Sequence, residues 1–354
     1  MPFSWSTIRR PILALAPMAG VTDASYRQLI KRVAPETIVF TEFLSSDALA
    51  YGAEKTLKML EFDPAIERPF IVQIFGASPA KFLEACKVIE QIGADGIDIN
   101  MGCPAAKIVS SCYGSALIRN PKLAAELVHA ATNAVRIPVS VKTRLGWDKT
   151  EELIPFCQGL VEAGAKALSI HGRRYHDKFA GAANWDPIYA LKREVSVPVI
   201  GNGDIASASD ALQKIGNLDG VMVGRGTFGN PWIMKEISEA FALFDVRDEV
   251  TGEWAFLSRA NHRAPENNEQ GERHACRVDE NSAADRLNIF RERLPFILEH
   301  CDLSVKTKGE KRGVLEMRRH LSSYIKGFDG AKELRMRVLT LESLDDVKTA
   351  LQAV

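Results

Sequence analysis

Two stretches decide the fold: Val199-Ile200-Gly201-Asn202-Gly203-Asp204 and, one helix-length later, Gly220-Val221-Met222-Val223-Gly224-Arg225-Gly226. Each is a short apolar run that gives way to a glycine-bearing polar loop, the signature of a buried strand ending in a turn. Between them, residues 207–215 read as an amphipathic helix opened by Ser207. Strand, helix and strand in that order is the unit of a parallel sheet, because parallel neighbours need a crossover.

Upstream the same unit repeats. Apolar, β-branched runs at 12–16, 37–41, 70–74, 96–100, 139–142, 167–171, 199–201 and 220–223 predict about eight strands. Helical patterns at 80–92, 121–135 and 151–163 lie between them, opened by Pro79, Pro121 and Thr150. Alternation alone fits either a doubly wound sheet or a closed barrel, so the strand ends must choose. Polar or special residues sit where the strands run out: Pro17 and Met18, Glu42, Gln73, Asn100, Lys142, His171, Asn202, and Gly224 with Arg225. In a barrel these converge on one C-terminal face, where active sites are built. A doubly wound sheet normally carries GxGxxG after its first strand, and residues 16–22 hold no such loop. The expected fold is therefore α/β, a (β/α)8 TIM barrel over 1–244. A polar linker or insertion follows at 245–285. The chain then closes with an all-α helical domain at 286–354, with helices at 286–300, 310–327, 331–339 and 343–354.

Composition bounds the function. Of the 354 residues, 46% are hydrophobic and 25% charged, which suits a soluble enzyme with a large core. Forty-five basic residues balance forty-five acidic ones, so any polyanion must be gripped locally. Six scattered cysteines without a CxxC pair favour free thiols in a reducing compartment, which predicts a cytoplasmic protein without a metal site. Residues 1–10 lack the apolar core of a signal peptide, and no run is long enough to enter a membrane.

Three groups of residues carry chemistry. The loops after the last two strands, with Gly203 and Gly224, suit a phosphate cradle in which bare backbone and a following helix N-terminus approach an anion, aided by Arg225. A single such loop is as readily a mere tight turn; two on consecutive strands favour the cradle. Lys142 and His171 suit the N1–C2=O edge of a flavin, and Gln73 suits its opposite, amide-like edge. The bland alternative is a satisfied structural residue. Lys142 resists it, since Val139-Ser140-Val141-Lys142 reads as a buried strand in which an unpaired ammonium is costly. Cys103, on the loop Gly102-Cys103-Pro104, is placed to donate a proton, because a thiol is mostly protonated at neutral pH; a nucleophilic role remains open.

In the C-terminal region, Val314, Met317, Leu321 and Tyr324 form an apolar stripe, with Arg312, Arg319 and Lys326 on the opposite face and Lys311 and Arg318 flanking. Such a face is equally an ordinary solvated one.

Taken together, the segments Ala16-Pro17-Met18-Ala19-Gly20-Val21-Thr22-Asp23, Gln73-Ile74-Phe75-Gly76, Asp98-Ile99-Asn100-Met101-Gly102-Cys103-Pro104, Gly114-Ser115-Ala116-Leu117, Val141-Lys142-Thr143-Arg144-Leu145-Gly146-Trp147, His171-Gly172-Arg173, Asn202-Gly203-Asp204-Ile205 and Val223-Gly224-Arg225-Gly226 resemble the flavin-dependent tRNA-dihydrouridine synthases, in family order. The resemblance implies an FMN reduced by NADPH, hydride transfer from flavin N5 to uracil C6, and protonation at C5 by Cys103. It implies flavin contacts from Pro17, Met18, Gln73, Lys142, His171, Asn202, Gly203, Asp204, Gly224 and Arg225, and uracil contacts from Asn100 and Arg144. Tyr175 or His176 would line the substrate mouth. A uridine inside folded tRNA is reached only when turned out of its stack. The resemblance accordingly implies a tRNA-binding helical domain, with Lys311, Arg312, Arg318, Arg319 and Lys326 as phosphate contacts, and a monomer. The polar stretch at 245–285 is longer than the family resemblance leads one to expect. Two other readings stand beside this one: a flavoprotein acting on a free pyrimidine, resembling dihydroorotate dehydrogenases, and a tRNA-binding or RNA-folding protein in which catalysis is secondary.

Overall fold

Runs such as Phe70-Ile71-Val72, with no polar interruption, suit strands covered on both faces. In the computed structural model, which describes residues 3–247, 254–256 and 282–354, such runs form one parallel sheet. Its strands are β1 (Ile12–Leu15), β2 (Val39–Phe40), β3 (Leu44–Ser45), β4 (Phe70–Phe75), β5 (Gly96–Met101), β6 (Val139–Arg144), β7 (Leu168–His171), β8 (Val199–Asn202) and β9 (Gly220–Val223). The hydrogen-bonded order runs β1-β9-β8-β7-β6-β5-β4-β2, with β3 added on β4. A parallel bridge between Ala14 and Ile38 joins the two ends of that order. The ring closes, and closure excludes the doubly wound alternative.

Trp5, Ile12, Ala14, Ala16, Ile38, Phe40, Ile71, Ala167, Ile200 and Met222 form one buried apolar cluster drawn from strands around the ring.

The structure corrects several expected boundaries. The second strand is only Val39–Phe40, and the unforeseen β3 makes the sheet nine-stranded. β6 runs on to Arg144 and β8 to Asn202, so Arg144 belongs to a strand and not to a loop. Thr150 opens a 3₁₀ turn, Thr150–Glu152, ahead of the helix Leu153–Glu162. Elsewhere the caps behave as expected: Ser207 accepts from the Asp210 amide, and Pro121 fills the first turn of Pro121–Ala134.

The chain divides into two compact units, one carrying the barrel and one the C-terminal helices; the short segment Phe228–Asn230 groups with the helices. Most of the stretch read as a polar linker, 245–285, lies outside the described residues. Its described parts are the strands β10 (Phe244–Arg247) and β11 (Trp254–Phe256), which pair with each other, and the start of the helix Ala283–Lys308. Ser282 and Asp285 cap that helix reciprocally, so its start precedes the expected 286.

The remaining helices are Glu310–Tyr324, Ala331–Val338 and Leu344–Gln352. The stripe Val314, Met317, Leu321 and Tyr324 is buried as its spacing predicts. Gly313 sits where Glu310–Tyr324 meets the preceding helix: a Cβ there would lie 2.7 Å from the Val305 Cα and 2.8 Å from the Ser304 carbonyl oxygen. Ser304 Oγ also donates to the Gly313 carbonyl at 3.1 Å. Both obstacles are backbone, so only movement of a helix can make room. Gly313→Ala is expected to destabilise the helical unit by about 1–3 kcal/mol, read as an earlier melting transition; an unchanged melt contradicts the close approach.

Candidate active site at the barrel mouth

Strand register assembles the site. Asn100 on β5 pairs with Lys142 on β6; Arg144 pairs with His171 on β7, and His171 with Asn202 on β8. Side chains alternate along a strand, so Ser140, Lys142 and Arg144 share one face of β6 while Val139, Val141 and Thr143 share the other.

Lys142 Nζ donates to Asn202 Oδ1 at 3.1 Å, and Asn202 Nδ2 donates to the Met222 carbonyl at 2.8 Å. Asn202 thereby fixes the ammonium while spending one of its three donors. Burial, reinforced by the nearby Arg144 charge, pulls the Lys142 ammonium down to about 8. His171 is buried and surrounded by Lys142, Arg144, Arg173 and Arg225, and burial followed by these charges drives its imidazole down to about 2. It is neutral at physiological pH. Arg173 Nη1 approaches His171 Nε2 at 3.5 Å, and a guanidinium only donates, an arrangement that suits Nε2 as the acceptor with the proton on Nδ1.

The Cys103 loop is held from both sides. Asn100 Oδ1 accepts the backbone N–H groups of Gly102 at 3.2 Å and Cys103 at 2.9 Å, while Arg144 Nε donates to the Gly102 carbonyl at 2.7 Å. Gly114, in left-handed conformation, packs beneath: a Cβ there would stand 2.8 Å from the Cys103 carbonyl oxygen. Burial pushes the thiol above its ordinary value, outweighing the Ala105 amide and the charges of Arg144 and Lys142, which pull the other way. Gln73 is wholly buried; its Nε2 donates to Asp98 at 2.7 Å and its Oε1 accepts from Asn100 at 2.9 Å. Both ends of the Gln73 amide are thus engaged inside the protein.

The loops after β8 and β9 meet through an ion cluster. Arg173 Nη2 binds both Asp204 oxygens, at 2.8 and 2.6 Å, and Arg225 Nη2 reaches Asp204 Oδ1 at 3.2 Å. The glycines have separate causes. Gly226 is packed on the Ile205 carbonyl, 2.2 Å from where a Cβ would be, and Gly203 has φ +131° and faces Ala183. Gly224 has neither excuse: its Cβ would meet only Ala16 and Met18, at 3.4 and 3.5 Å, ordinary contacts. Pro17 and Met18 follow β1 beside this loop. After β8 a helix N-terminus follows the loop as expected, with Ser207 capping Ala208–Ile215; after β9 the expectation is corrected, for the loop runs directly into the 3₁₀ turn Arg225–Thr227.

Two residues of the mouth, Arg173 and Phe179, escaped the sequence reading. Arg173 was quoted only as part of a motif, yet besides Asp204 it donates to the Ala180 and Gly181 carbonyls at 3.1 and 2.5 Å. Arg144 Nη1 ties down the Arg174 and Lys178 carbonyls at 3.1 and 2.8 Å. The exposed Phe179 ring lies 5.5 Å from each of the Arg144 and Arg225 guanidinium carbons. Tyr175 stacks on Trp147 at 3.8 Å, and His176 pairs with Asp148 at 2.7 Å. Loop contacts of this kind leave no periodic trace in a sequence. Among the described residues no cluster suited to a metal ion occurs, and no helix is long and apolar enough to cross a membrane.

Arg173→Ala removes a buried guanidinium that holds the segment 174–181 by its carbonyls. We expect a loss of about 2 kcal/mol together with faster protease cleavage inside 174–181; cleavage at the wild-type rate would show that the segment is held by other means.

The family model for Dihydrouridine synthase (Dus) matches residues 14–272. The Synechocystis sp. protein named "Probable tRNA-dihydrouridine synthase 1" is 35% identical over 341 residues, covering 95% of this chain and 84% of that one. The Pseudomonas aeruginosa protein named "tRNA-dihydrouridine synthase B" is 35% identical over 336 residues, covering 94% and 89%. Among solved structures, a 2-naphthoyl-CoA reductase complex shares the fold at TM-score 0.50 and 12% identity, over 64% of this chain and 50% of that one. With a family match over most of its length and relatives aligned nearly end to end, this chain belongs to the dihydrouridine synthase family.

Proposed function

We propose that this protein reduces the C5=C6 bond of a uridine in tRNA, with FMN as cofactor, NADPH as reductant and Cys103 as proton donor. The observation that carries the proposal is the thiol of Cys103. Burial keeps it protonated, and its loop is clamped between Asn100 and Arg144 at the mouth that also holds Lys142.

The residues present fit a flavin phosphate. Gly224 is a glycine that neither backbone conformation nor internal packing requires, as expected where a ligand must approach the backbone. Arg225 stands beside it, oriented by Asp204. Gly203, Asp204, Asn202, Pro17 and Met18 line the same end of the barrel. Lys142 would hold the part of the ring that gathers negative charge, and His171, neutral with its proton on Nδ1, would offer a hydrogen bond without adding charge. Gln73, expected at the opposite edge of the ring, is wholly buried with its amide engaged by Asp98 and Asn100, and it offers the ring no exposed atom. When bound, FMN supplies the hydride chemistry. The chain's own residues orient the uracil, with Asn100 and the Arg144 Nη2 amine as its polar partners, and Cys103 delivers a proton to C5.

A base reaches this mouth only after leaving its stack. We assign the barrel, 1–244, to catalysis and the helical region, 286–354, to gripping tRNA. Lys311, Arg319 and Lys326 are exposed there. Two expected phosphate contacts carry local bonds: Arg312 Nε to Glu316 at 2.7 Å, and Arg318 Nη2 to the Leu341 carbonyl at 3.1 Å. Lys326 lies beyond the helix, which ends at Tyr324. We place the enzyme in the cytoplasm, acting as a monomer.

Two measurements test the proposal. Cys103→Ala is expected to keep flavin binding and lower dihydrouridine formation in tRNA by about a hundredfold or more. A colourless wild-type protein that leaves tRNA unchanged would end the reading. The second concerns pH: the ring edge that gathers negative charge on reduction favours the protonated lysine, so affinity for reduced FMN should be flat below about 8 and fall as pH rises through the Lys142 value. The expected slope is roughly tenfold per pH unit. Lys142→Met should bind weakly and without that slope, and a wild-type slope in this variant would assign the titration to another group.

A further inference from the structure

We propose that Asp98 is a positioning residue that sets the direction of a hydrogen-bond chain running from the barrel interior to the Cys103 loop. The inference rests on the function proposed above.

Register lays Gln73, Asp98 and Ser140 side by side on β4, β5 and β6. All three are buried, and Asp98 and Gln73 have no exposed surface at all. Ser140 Oγ donates to Asp98 Oδ1 at 2.6 Å, and Gln73 Nε2 donates to Asp98 Oδ2 at 2.7 Å. Asn100 Nδ2 donates to Gln73 Oε1 at 2.9 Å, which turns Asn100 Oδ1 toward the Gly102 and Cys103 N–H groups. The Gln73 backbone is separately fixed, its N–H donating to Thr41 Oγ1 at 2.9 Å.

An amide side chain can present either end, so nothing in Gln73 or Asn100 alone chooses an orientation. An ionised carboxylate only accepts, so Asp98 dictates that Gln73 turn its nitrogen inward. Gln73 then shows oxygen to Asn100, and Asn100 shows oxygen to the Cys103 loop. Were the polarity reversed, Asn100 would point its own N–H groups at two backbone N–H groups, and the loop would lose its anchor. Burial raises the Asp98 carboxyl to about 6 against the pull of Gln73, Ser140 and Lys142, so above neutral pH it remains an acceptor. A buried charge is otherwise costly. Its retention here is explained by what it orients.

The chain has one alternative state. In Asp98→Asn, the new amide can keep its oxygen toward Gln73 if its nitrogen donates to Ser140 Oγ, and Ser140 can pass its proton to the Ile97 carbonyl, 3.3 Å away. Asp98→Asn alone should therefore preserve the polarity, whereas Asp98→Leu and the double variant Asp98→Asn with Ser140→Ala should lose it.

The test uses the full-length flavoprotein and reads the alkylation rate of Cys103 by iodoacetamide, resolved by peptide mass, beside kcat and KM for tRNA. We expect Asp98→Leu and the double variant to change the Cys103 rate, and to lower kcat, by tenfold or more with KM within about twofold. Asp98→Asn should stay within about threefold of wild type in both. Wild-type alkylation and kcat in a folded Asp98→Leu protein would overturn the proposal. So would equal impairment of Asp98→Asn and the double variant, a comparison that decides the matter even if the leucine variant fails to fold. Alkylation requires no tRNA. A protein that follows this pattern without reducing uridine would therefore sink the proposed function and leave the positioning role standing.

Discussion

The parallel register across β5, β6, β7 and β8 is the constraint on which the site depends. It places Asn100 against Lys142, Arg144 against His171 and His171 against Asn202, with no loop involved in the alignment. Slippage of one residue in β6 would turn Ser140, Lys142 and Arg144 toward the helices and bring Val139, Val141 and Thr143 inside. Pairing guards against this, since β6 is held by β5 on one side and β7 on the other and a slip in it requires a slip in its neighbours. The bridge from Ala14 to Ile38 is short, yet it removes the free edges the open sheet would otherwise present.

Register also concentrates charge. Lys142, Arg144, Arg173 and Arg225 all bear on His171, and the carboxylates near them are committed: Asp204 to Arg173 and Arg225, Asp98 to Gln73 and Ser140. A positive mouth walled by protein attracts anions more strongly than the same charges in water. The molecule's overall neutrality does not weaken it, because at physiological salt the field beyond about 8 Å is screened.

Much of this was legible in the sequence, and the reason is periodicity. Strand ends stand out because an apolar run stops at a polar residue, which is how Lys142, His171 and Asn202 were found. The same signal failed at β6, where Thr143 continued the strand to Arg144, and at β3, where two residues are too few to show a pattern. Gln73 was read as a strand end, yet it lies inside β4, and its place in the middle of a chain was hidden because its partner Asp98 reads in sequence as an isolated acid inside a strand. Arg173 was hidden for another cause: its contacts, Asp204 and the Ala180 and Gly181 carbonyls, are made by loops whose course no spacing rule predicts. The basic helical face shows the limit of periodicity from the other side. Spacing correctly buried Val314 and Met317 but extended the helix to Lys326, past the Tyr324 at which it ends.

The same electrostatics favour a thiol as the proposed acid at this mouth. Each neighbour fails on its own ground. His171 is held neutral by burial and then by the surrounding cations, and a neutral imidazole releases its remaining proton only as a very weak acid. Lys142 can give up a proton near pH 8, but doing so removes the charge that an anionic ligand edge needs. Asp98 is ionised and turned inward. Cys103 alone combines a proton retained at neutral pH with a loop anchored at both ends, and it carries no charge that must be desolvated when a flat, uncharged ring settles over it. Lowering its pKa, as thiol nucleophiles require, would defeat this arrangement. Burial raises it instead, which suits the proposed acid better than a nucleophile.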